Sequence, residues 1–189
     1  MSGPPSSDPV VATSAAADGS PQLFLVVLGG RVEGAHIELH DVRFVAGENL
    51  EATLPALRRQ WFGRRGGLHI DSYMAVRQVG GFAVALRREP FNGLERLWFV
   101  NVGGYHPERL AEEHAFGLVV AATAAGAKRQ ALASWLPGTE GRHKDDLHAL
   151  EAVDDCLPLD VVEGWRVHLR PVSTPAPPQR PDWFGYQPI

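Results

Sequence analysis

The sequence has very little cysteine and no apolar run long enough to cross a membrane. Cys156 is the one cysteine in 189 residues. A single cysteine cannot form an intrachain disulfide or a CxxC metal or redox motif, so we predict a buried structural thiol. No stretch approaches the ~20 apolar residues of a membrane helix. We therefore expect no membrane partner.

Excess positive charge and a secretory leader are also missing. The formal net charge is −4 and the isoelectric point is about 6.0. Nonspecific nucleic-acid binding needs a strong basic footprint, so we expect no nucleic-acid partner. Residues 1–21 have no basic start and no sustained apolar core. Their Pro, Ser, Ala and Gly content predicts a flexible tail, and we expect a cytoplasmic protein.

An internal repeat is the strongest positive feature. Residues 23–73 align without a gap to residues 97–147, with 11 identities in 51 paired positions. Unrelated segments of ordinary composition match at roughly one position in fifteen. The copy continues from residues 79–87 onto 162–170 at an offset of 83 instead of 74, which places a nine-residue insertion near 148–157 (83 − 74 = 9). The predicted organisation is a flexible tail (1–21), a first repeat unit (22–87), a joint (88–96), a second repeat unit (97–170) and a Pro-rich C-terminal arm (171–189).

Each repeat is predicted to run strand, strand, helix, strand, strand. In the first repeat, the apolar run at 23–28 and the alternation at 35–47 indicate strands. Helical spacing at 48–61 indicates a helix, and residues 67–87 indicate a hairpin with its turn at Gly80–Gly81. We therefore predict an α+β fold with mostly antiparallel sheets, in which a pseudo-twofold relates the two copies. The remaining sheet edges favour a homodimer.

Several local details follow from the same patterns. Asn49 is suited to cap the helix, although Pro55 inside the pattern suggests a later start near Thr53. On the strand before the helix, Val42 and Phe44 are expected to point into the core. Glu38 and His40 share their face and are expected to point the same way.

The pair Gly29–Gly30 follows the first apolar strand and recurs as Gly103–Gly104. Its GGxxxG pattern is not the GxGxxG of dinucleotide sites, and alternating residues follow it instead of a helix. We expect these glycines to form a tight turn that needs positive φ.

A set of polar residues is kept in both repeats. Residues two apart on a strand point the same way, so each Glu-x-His pair and each His-x-Asp pair can converge. Four of the eight histidines belong to this set. The predicted ligand-binding residues are Glu38, His40, His69 and Asp71 in the first repeat and Glu112, His114, His143 and Asp145 in the second.

Three uses of this set are open at the level of sequence. His40, His69 and Glu38 are candidate ligands for a divalent metal, with the second carboxylate orienting an imidazole. His40, His69 and Asp71 are candidate catalytic residues for proton transfer or metal-assisted hydrolysis, with either His as base and Asp71 fixing the tautomer of His69. A half-buried His also needs hydrogen-bond partners, so the set could be a structural network that joins the two units.

The strings LFLVVLGG, HIELHDVRFVAG, LRRQWFG, LHIDSY and LWFVNVGGY resemble the bacterial family known as domain of unknown function 1543. The resemblance covers about residues 22–170. The family is described as carrying one or two copies of the domain, so the resemblance implies two tandem copies here. It implies no activity, and the tails lie outside it.

Two functions follow as hypotheses. The first is a small-ligand or metal-binding protein, with or without catalysis, that uses the duplicated clusters. The alternative is a non-enzymatic structural or interaction module. In either case the C-terminal arm is expected to be extended, because its prolines exclude a helix or a central strand from its middle. Its Trp183, Phe184 and Tyr186 could then dock on the body or on a partner chain.

Overall fold

The computed structural model describes residues 19–135, 140–144 and 156–189. The predicted α+β class, with antiparallel sheets and a duplicated unit, is confirmed. The chain forms two compact units: unit 1 runs to Val76 and also includes Arg180–Ile189, and unit 2 is Arg77–Gln179. In chain order the described elements are β1 (Gln22–Gly30), β2 (Leu39–Gly47), α1 (Leu50–Gln60), β3 (His69–Ala75), β4 (Gln78–Val79), β5 (Phe82–Arg87), β6 (Arg96–Tyr105), β7 (Glu113–Ala121), α2 (Ala124–Ser134), β8 (Glu140–Lys144), β9 (Cys156–Pro158), β10 (Val161–Val162), β11 (Trp165–Pro171) and β12 (Trp183–Pro188).

Unit 1 is an antiparallel sheet in the order β12-β3-β1-β2, with α1 packed on one face. Alternate β1 residues pack with the buried face of α1 because strand side chains alternate between faces. The core cluster includes Phe24, Val26 and Leu28 from β1 and Leu50 and Leu57 from α1. The opposite face of β1 carries Gly29, which places the polar cluster on the side away from this core.

The helix start is earlier than Pro55 suggested. The Asn49 side chain caps the helix by accepting a hydrogen bond from the Ala52 amide at 2.9 Å, as predicted. The expected start near Thr53 is wrong, because α1 begins at Leu50 with Pro55 inside it. Pro55 is exposed, so water can replace the backbone hydrogen bond that its ring removes.

The expected core face of β2 is also wrong. Val45 is the β2 residue that belongs to the core cluster, whereas Val42 and Phe44 are half-buried and lie outside it. Side chains alternate along a strand, so His40 shares its face with Val42 and Phe44, turned away from α1. His40 therefore lies outside the core that faces α1.

Unit 2 contains a second sheet, with β6 paired to β7, β8 and β9, and α2 packed against it. Thr123 caps α2 by accepting from the Gly126 amide at 3.2 Å, and Trp135 ends the helix, as predicted. Cys156 is a buried free thiol in this core, also as predicted. The predicted insertion near 148–157 falls almost entirely outside the described residues.

The first predicted hairpin is partly wrong, because the expected strand over 67–79 is divided between β3 in the unit 1 sheet and β4, and of these two only β4 pairs with β5. The hairpins β4–β5 and β10–β11 meet in one sheet, in the order β10-β11-β5-β4, and all four strands belong to unit 2. Val84 pairs with Leu169 and Leu86 with Val167, so each pair is the repeat equivalent of the other. Ala85 pairs with His168, its own equivalent at the offset of 83. A local pseudo-twofold axis therefore passes through this pair.

Candidate functional site

The candidate site of unit 1 is assembled around Gly29, near the C-terminal end of β1. Gly29 lies opposite His40 on β2 and opposite His69 on β3. The two histidine strands do not pair with each other, because β1 separates them. Glu38 immediately precedes β2, and Asp71 is two residues beyond His69. All four residues predicted for the first repeat are therefore brought together across three strands.

The four side chains converge through the Nε2 atoms of the two imidazoles. Nε2 of His69 lies 3.3 Å from Glu38 Oε1 and 3.3 Å from Asp71 Oδ1. Nε2 of His40 lies 3.4 Å from Glu38 Oε1 and 3.3 Å from Asp71 Oδ2. One ligand atom each from Glu38, His40 and His69 lies within 4.8 Å of the others. We call Glu38, His40, His69 and Asp71 the quartet.

His69 has a fixed tautomer. Its Nδ1 lies 2.8 Å from the carbonyl oxygen of Gly67. A carbonyl can only accept, so Nδ1 carries a proton, and in the neutral form of the ring the Nε2 lone pair faces the two carboxylates. The expectation that Asp71 fixes this tautomer is wrong, because Gly67 occupies that role.

The environments of the two imidazoles differ. The His69 side chain is 1% exposed, whereas that of His40 is 51% exposed. Solvent therefore reaches the quartet from the side of His40, and His69 forms its buried wall.

Gly29 leaves open the volume between the donor atoms. A Cβ on this residue would overlap Nε2 of His69 and lie 2.9 Å from Asp71 Oδ2. The predicted tight turn is wrong, because Gly29 and Gly30 continue β1 and neither has positive φ. Glycine within a strand commonly marks the close approach of other groups, and here that group is the quartet.

A β-bulge at Asp71 reverses the faces of the β3 residues that follow it. Leu28 pairs with Ile70 and Val27 with Ser72, so Asp71 is the extra residue of β3. In a regular strand, Asp71 and Tyr73 would share a face. The bulge lets Asp71 join the site while Tyr73 packs in the core, which is a common use of bulges beside functional sites.

Comparison with known proteins gives the family. The family "Domain of Unknown Function (DUF1543)" matches residues 35–86 and 109–157, which together make up more than half of the chain. The chain belongs to the DUF1543 family. It carries two copies of the domain, so the resemblance noted in the sequence is confirmed.

The chain is also similar to a solved structure, the crystal structure of a protein Il1583 from Idiomarina loihiensis. It is 40% identical in sequence and superposes with a TM-score of 0.69. The similarity covers 89% of this chain and 97% of that one. No curated protein matches the chain. Neither helix described in the structure is long and apolar enough to cross a bilayer.

The second DUF1543 copy repeats the backbone frame of the site. Gly103 lies opposite His114 on β7 and opposite His143 on β8, in the register of Gly29 with His40 and His69. Glu112 Oε2 lies 3.7 Å from Nε2 of His114. The backbone of His143 is described and its side chain is not, whereas Asp145 lies outside the described residues.

The two copies differ beside this frame. Asn101 stands where the first copy has Val27, and its amide nitrogen lies 3.4 Å from Nδ1 of His114. The second location is therefore more polar than the first.

One site residue was missed at the sequence level. The Tyr186 ring of β12 lies over the His69 ring, with a centroid distance of 4.2 Å and an interplanar angle of 35°. Residue 186 is outside both DUF1543 matches, and the prolines before it obscure the strand. The aromatic run Trp183–Tyr186 was the available signal, but it did not reveal the contact with His69.

Proposed function

We propose that the quartet binds a divalent transition-metal ion, with zinc as the best fit to its donors. The observation that carries this proposal is the spacing of the donor atoms. Four nitrogen-to-oxygen distances lie between 3.3 and 3.4 Å. Ligand atoms at about 2.1 Å from a tetrahedral ion stand about 3.4 Å apart, whereas charge-assisted hydrogen bonds are about 2.7–2.9 Å long. The two imidazole nitrogens thus stand from the carboxylate oxygens at distances that suit a shared ion better than direct hydrogen bonds.

The electrostatics also favour a cation between the donors. Nδ1 of His69 donates to Gly67, so in the neutral form of the ring the lone pair on Nε2 points at two carboxylates. Oδ2 of Asp71 is buried and accepts no hydrogen bond from the described residues. A buried carboxylate oxygen without a donor is costly, and a metal ion would satisfy it together with the imidazole lone pair.

The donor set suits zinc among the common divalent ions. Two imidazoles and two carboxylates fit a borderline ion better than Ca²⁺ or Mg²⁺, which prefer oxygen alone. Four protein donors would fill a tetrahedral ion, so water or a small ligand would bind as a fifth ligand or in place of one carboxylate, on the exposed side of His40. Metal-assisted hydrolysis is the chemistry that such a site would support.

Proton transfer by His69 alone fits the geometry less well. One of its nitrogens is used by Gly67, the other faces carboxylates, and the ring is buried. A general base needs a nitrogen within reach of the substrate. His40, which is half exposed, is the better candidate if the site transfers protons.

The experiment measures metal binding by variants of the chelator-treated protein. Zn²⁺ is titrated by calorimetry, and Co²⁺ is used to report the coordination geometry by visible absorption. We expect His40→Ala and His69→Ala each to weaken binding by at least the ~10–100-fold that even outer-shell changes cause. His168→Ala is the matched control, because His168 is a histidine outside the quartet. Its equivalent in the first repeat, Ala85, is already an alanine. Equal affinity in all four proteins would refute the metal proposal.

The structural alternative is favoured by one observation, the near-complete burial of His69. In that function the quartet would be a polar network that only stabilises the fold. The sequence suggested a network that joins the two units, but all four residues lie in unit 1, so the stabilised fold would be that of unit 1. It predicts that His69→Ala lowers thermal stability strongly and that the wild-type protein takes up no Zn²⁺. Thermal melts of the same variants, with and without Zn²⁺, distinguish the two functions, because only a bound ion raises the melting temperature in a concentration-dependent way.

Homodimerisation and a cytoplasmic location remain predictions. Strand β2 is an edge of the unit 1 sheet, and edge strands can pair with another chain. Sedimentation of the full chain over a range of concentrations tests the dimer.

A further inference from the structure

The C-terminal strand closes one side of the quartet. Strand β12 pairs with the outer edge of β3, which is the strand that carries His69 and Asp71. Its Tyr186 ring covers the imidazole of His69, whereas the Tyr186 residue itself remains exposed to solvent. The aromatic ring thus stands between His69 and the surrounding water.

The register of β12 brings Tyr186 to this position. Phe184 pairs with Ser72 and Gln187 with Ile70, so Gly185 and Tyr186 together stand opposite the bulge residue Asp71. Strands β3 and β12 are therefore both irregular at the level of Asp71. The irregularity of β12 lies where its aromatic ring meets the buried imidazole.

The strand is anchored on both sides of Tyr186. Before it, the Asp182 amide donates to Tyr73 O at 2.9 Å and the Asp182 carboxylate accepts from the Ala75 amide at 2.8 Å. After it, the Ile189 amide donates to Leu68 O at 3.0 Å, and the Ile189 side chain packs on the core. Tyr186 is held between two fixed points, so its ring position is defined by the fold.

We propose that Tyr186 is a positioning residue for the quartet, because its ring holds the His69 imidazole in the orientation that points Nε2 at Glu38 and Asp71. The ring also blocks the His69 side, so that solvent enters only from the side of His40. This inference rests on the proposed metal site for its functional meaning. The contact is made by the faces of the two rings and does not use the Tyr186 hydroxyl group, so phenylalanine would serve as well as tyrosine.

The duplication sharpens the inference. Among the residues that the structure describes, β8 pairs only with β6, so the second copy has no strand that corresponds to β12. Strand β12 therefore contacts the site of the first copy, whereas Gln179 of the same arm hydrogen-bonds to Leu118 in the second copy. The sites of the two copies share the same backbone frame. We expect them to differ in how firmly the imidazole is held, with His69 on β3 held more firmly than its equivalent His143 on β8.

The test uses the metal-free full chain, so that it does not depend on metal binding. Tyr186→Ala is compared with Tyr186→Phe and with the control Phe184→Ala, whose side chain is 79% exposed on the same strand. The first readout is the ¹⁵N spectrum of the His69 ring, and the second is the rate of its modification by diethylpyrocarbonate. We expect Tyr186→Ala to give a mixture of the two His69 tautomers and to raise the rate of His69 modification severalfold. The rate of His40 modification should not change in this variant. Tyr186→Phe and Phe184→Ala should keep the wild-type tautomer and the wild-type modification rates.

A metal arm then connects the inference with function. Zn²⁺ affinity is expected to fall about tenfold or more in Tyr186→Ala, in the range typical of residues that orient a ligand. If no variant binds Zn²⁺, the proposed metal site is wrong, while the two metal-free readouts still decide the role of Tyr186. Wild-type tautomer and reactivity in Tyr186→Ala would overturn the inference, as would an equal change in Phe184→Ala.

Discussion

Gly29 and His69 lie opposite each other on neighbouring strands, and the missing side chain of Gly29 leaves the space into which Nε2 of His69 points. The relationship explains why β1, which is otherwise apolar, has a glycine at position 29. A residue with a side chain at position 29 would occupy the place where the quartet's donor atoms converge.

The first prediction concerns Gly29→Ala. The added Cβ would overlap Nε2 of His69 and crowd Asp71, so we expect loss of Zn²⁺ binding in a protein that remains folded. Calorimetric titration and circular dichroism measure the two properties. Gly66→Ala is the control, because a Cβ there meets nothing within 4 Å. Wild-type affinity in Gly29→Ala would contradict the role assigned to this glycine.

The second prediction separates Gly29 from its neighbour. The opposite face of β1 packs on α1, and a Cβ on Gly30 would lie 2.9 Å from the buried Trp61 ring. We expect Gly30→Ala to lower the free energy of unfolding by about 1–3 kcal/mol, as overpacking does. Urea denaturation measures this change. The folded fraction should keep wild-type Zn²⁺ affinity, and an unchanged unfolding midpoint would contradict the packing argument.

The third prediction concerns the two helix caps. Asn49 and Thr123 occupy the same structural position in the two repeats, and each accepts a hydrogen bond from a first-turn amide. Replacing either by Ala should cost about 1 kcal/mol, because the amide loses its partner. Urea denaturation again provides the measurement. Asn92→Ala, on an exposed loop, is expected to change stability negligibly, and equal effects in all three variants would count against capping.

The fourth prediction concerns Cys156. Its side chain is 0% exposed and lies in the core of unit 2. Because thiol reagents need access to the thiolate, Cys156 should react with a disulfide reagent only as fast as the protein opens. The rate in native buffer should therefore be far below that of the urea-unfolded chain. Rapid stoichiometric labelling of the native protein would show that this core is accessible.

The repeat and the period-two alternation were enough to predict the fold class and the membership of the quartet. Glu38 and His40 are two apart, as are His69 and Asp71, and strand geometry turns each pair to one face. The equal spacing in the second copy identified the same pairs again. Composition and spacing therefore located the polar residues before any contact was known.

What the sequence could not provide was register. The bulge at Asp71 depends on how β3 pairs with β1, and it reverses the faces of the residues that follow. Pattern reasoning placed Val42 and Phe44 in the core for the same reason, since alternation gives two faces but does not say which one meets α1. The contact of Tyr186 with His69 joins residues more than a hundred positions apart, and no local pattern encodes it.

The pairing of Ala85 with His168 has a consequence for relatives that carry one copy of the domain. In such a protein the β5 edge would stay open, and a second molecule could close it through a true twofold axis. That closure would weaken on dilution. Joining the two copies in a single polypeptide makes the same closure intramolecular, so the four-stranded sheet forms at any protein concentration.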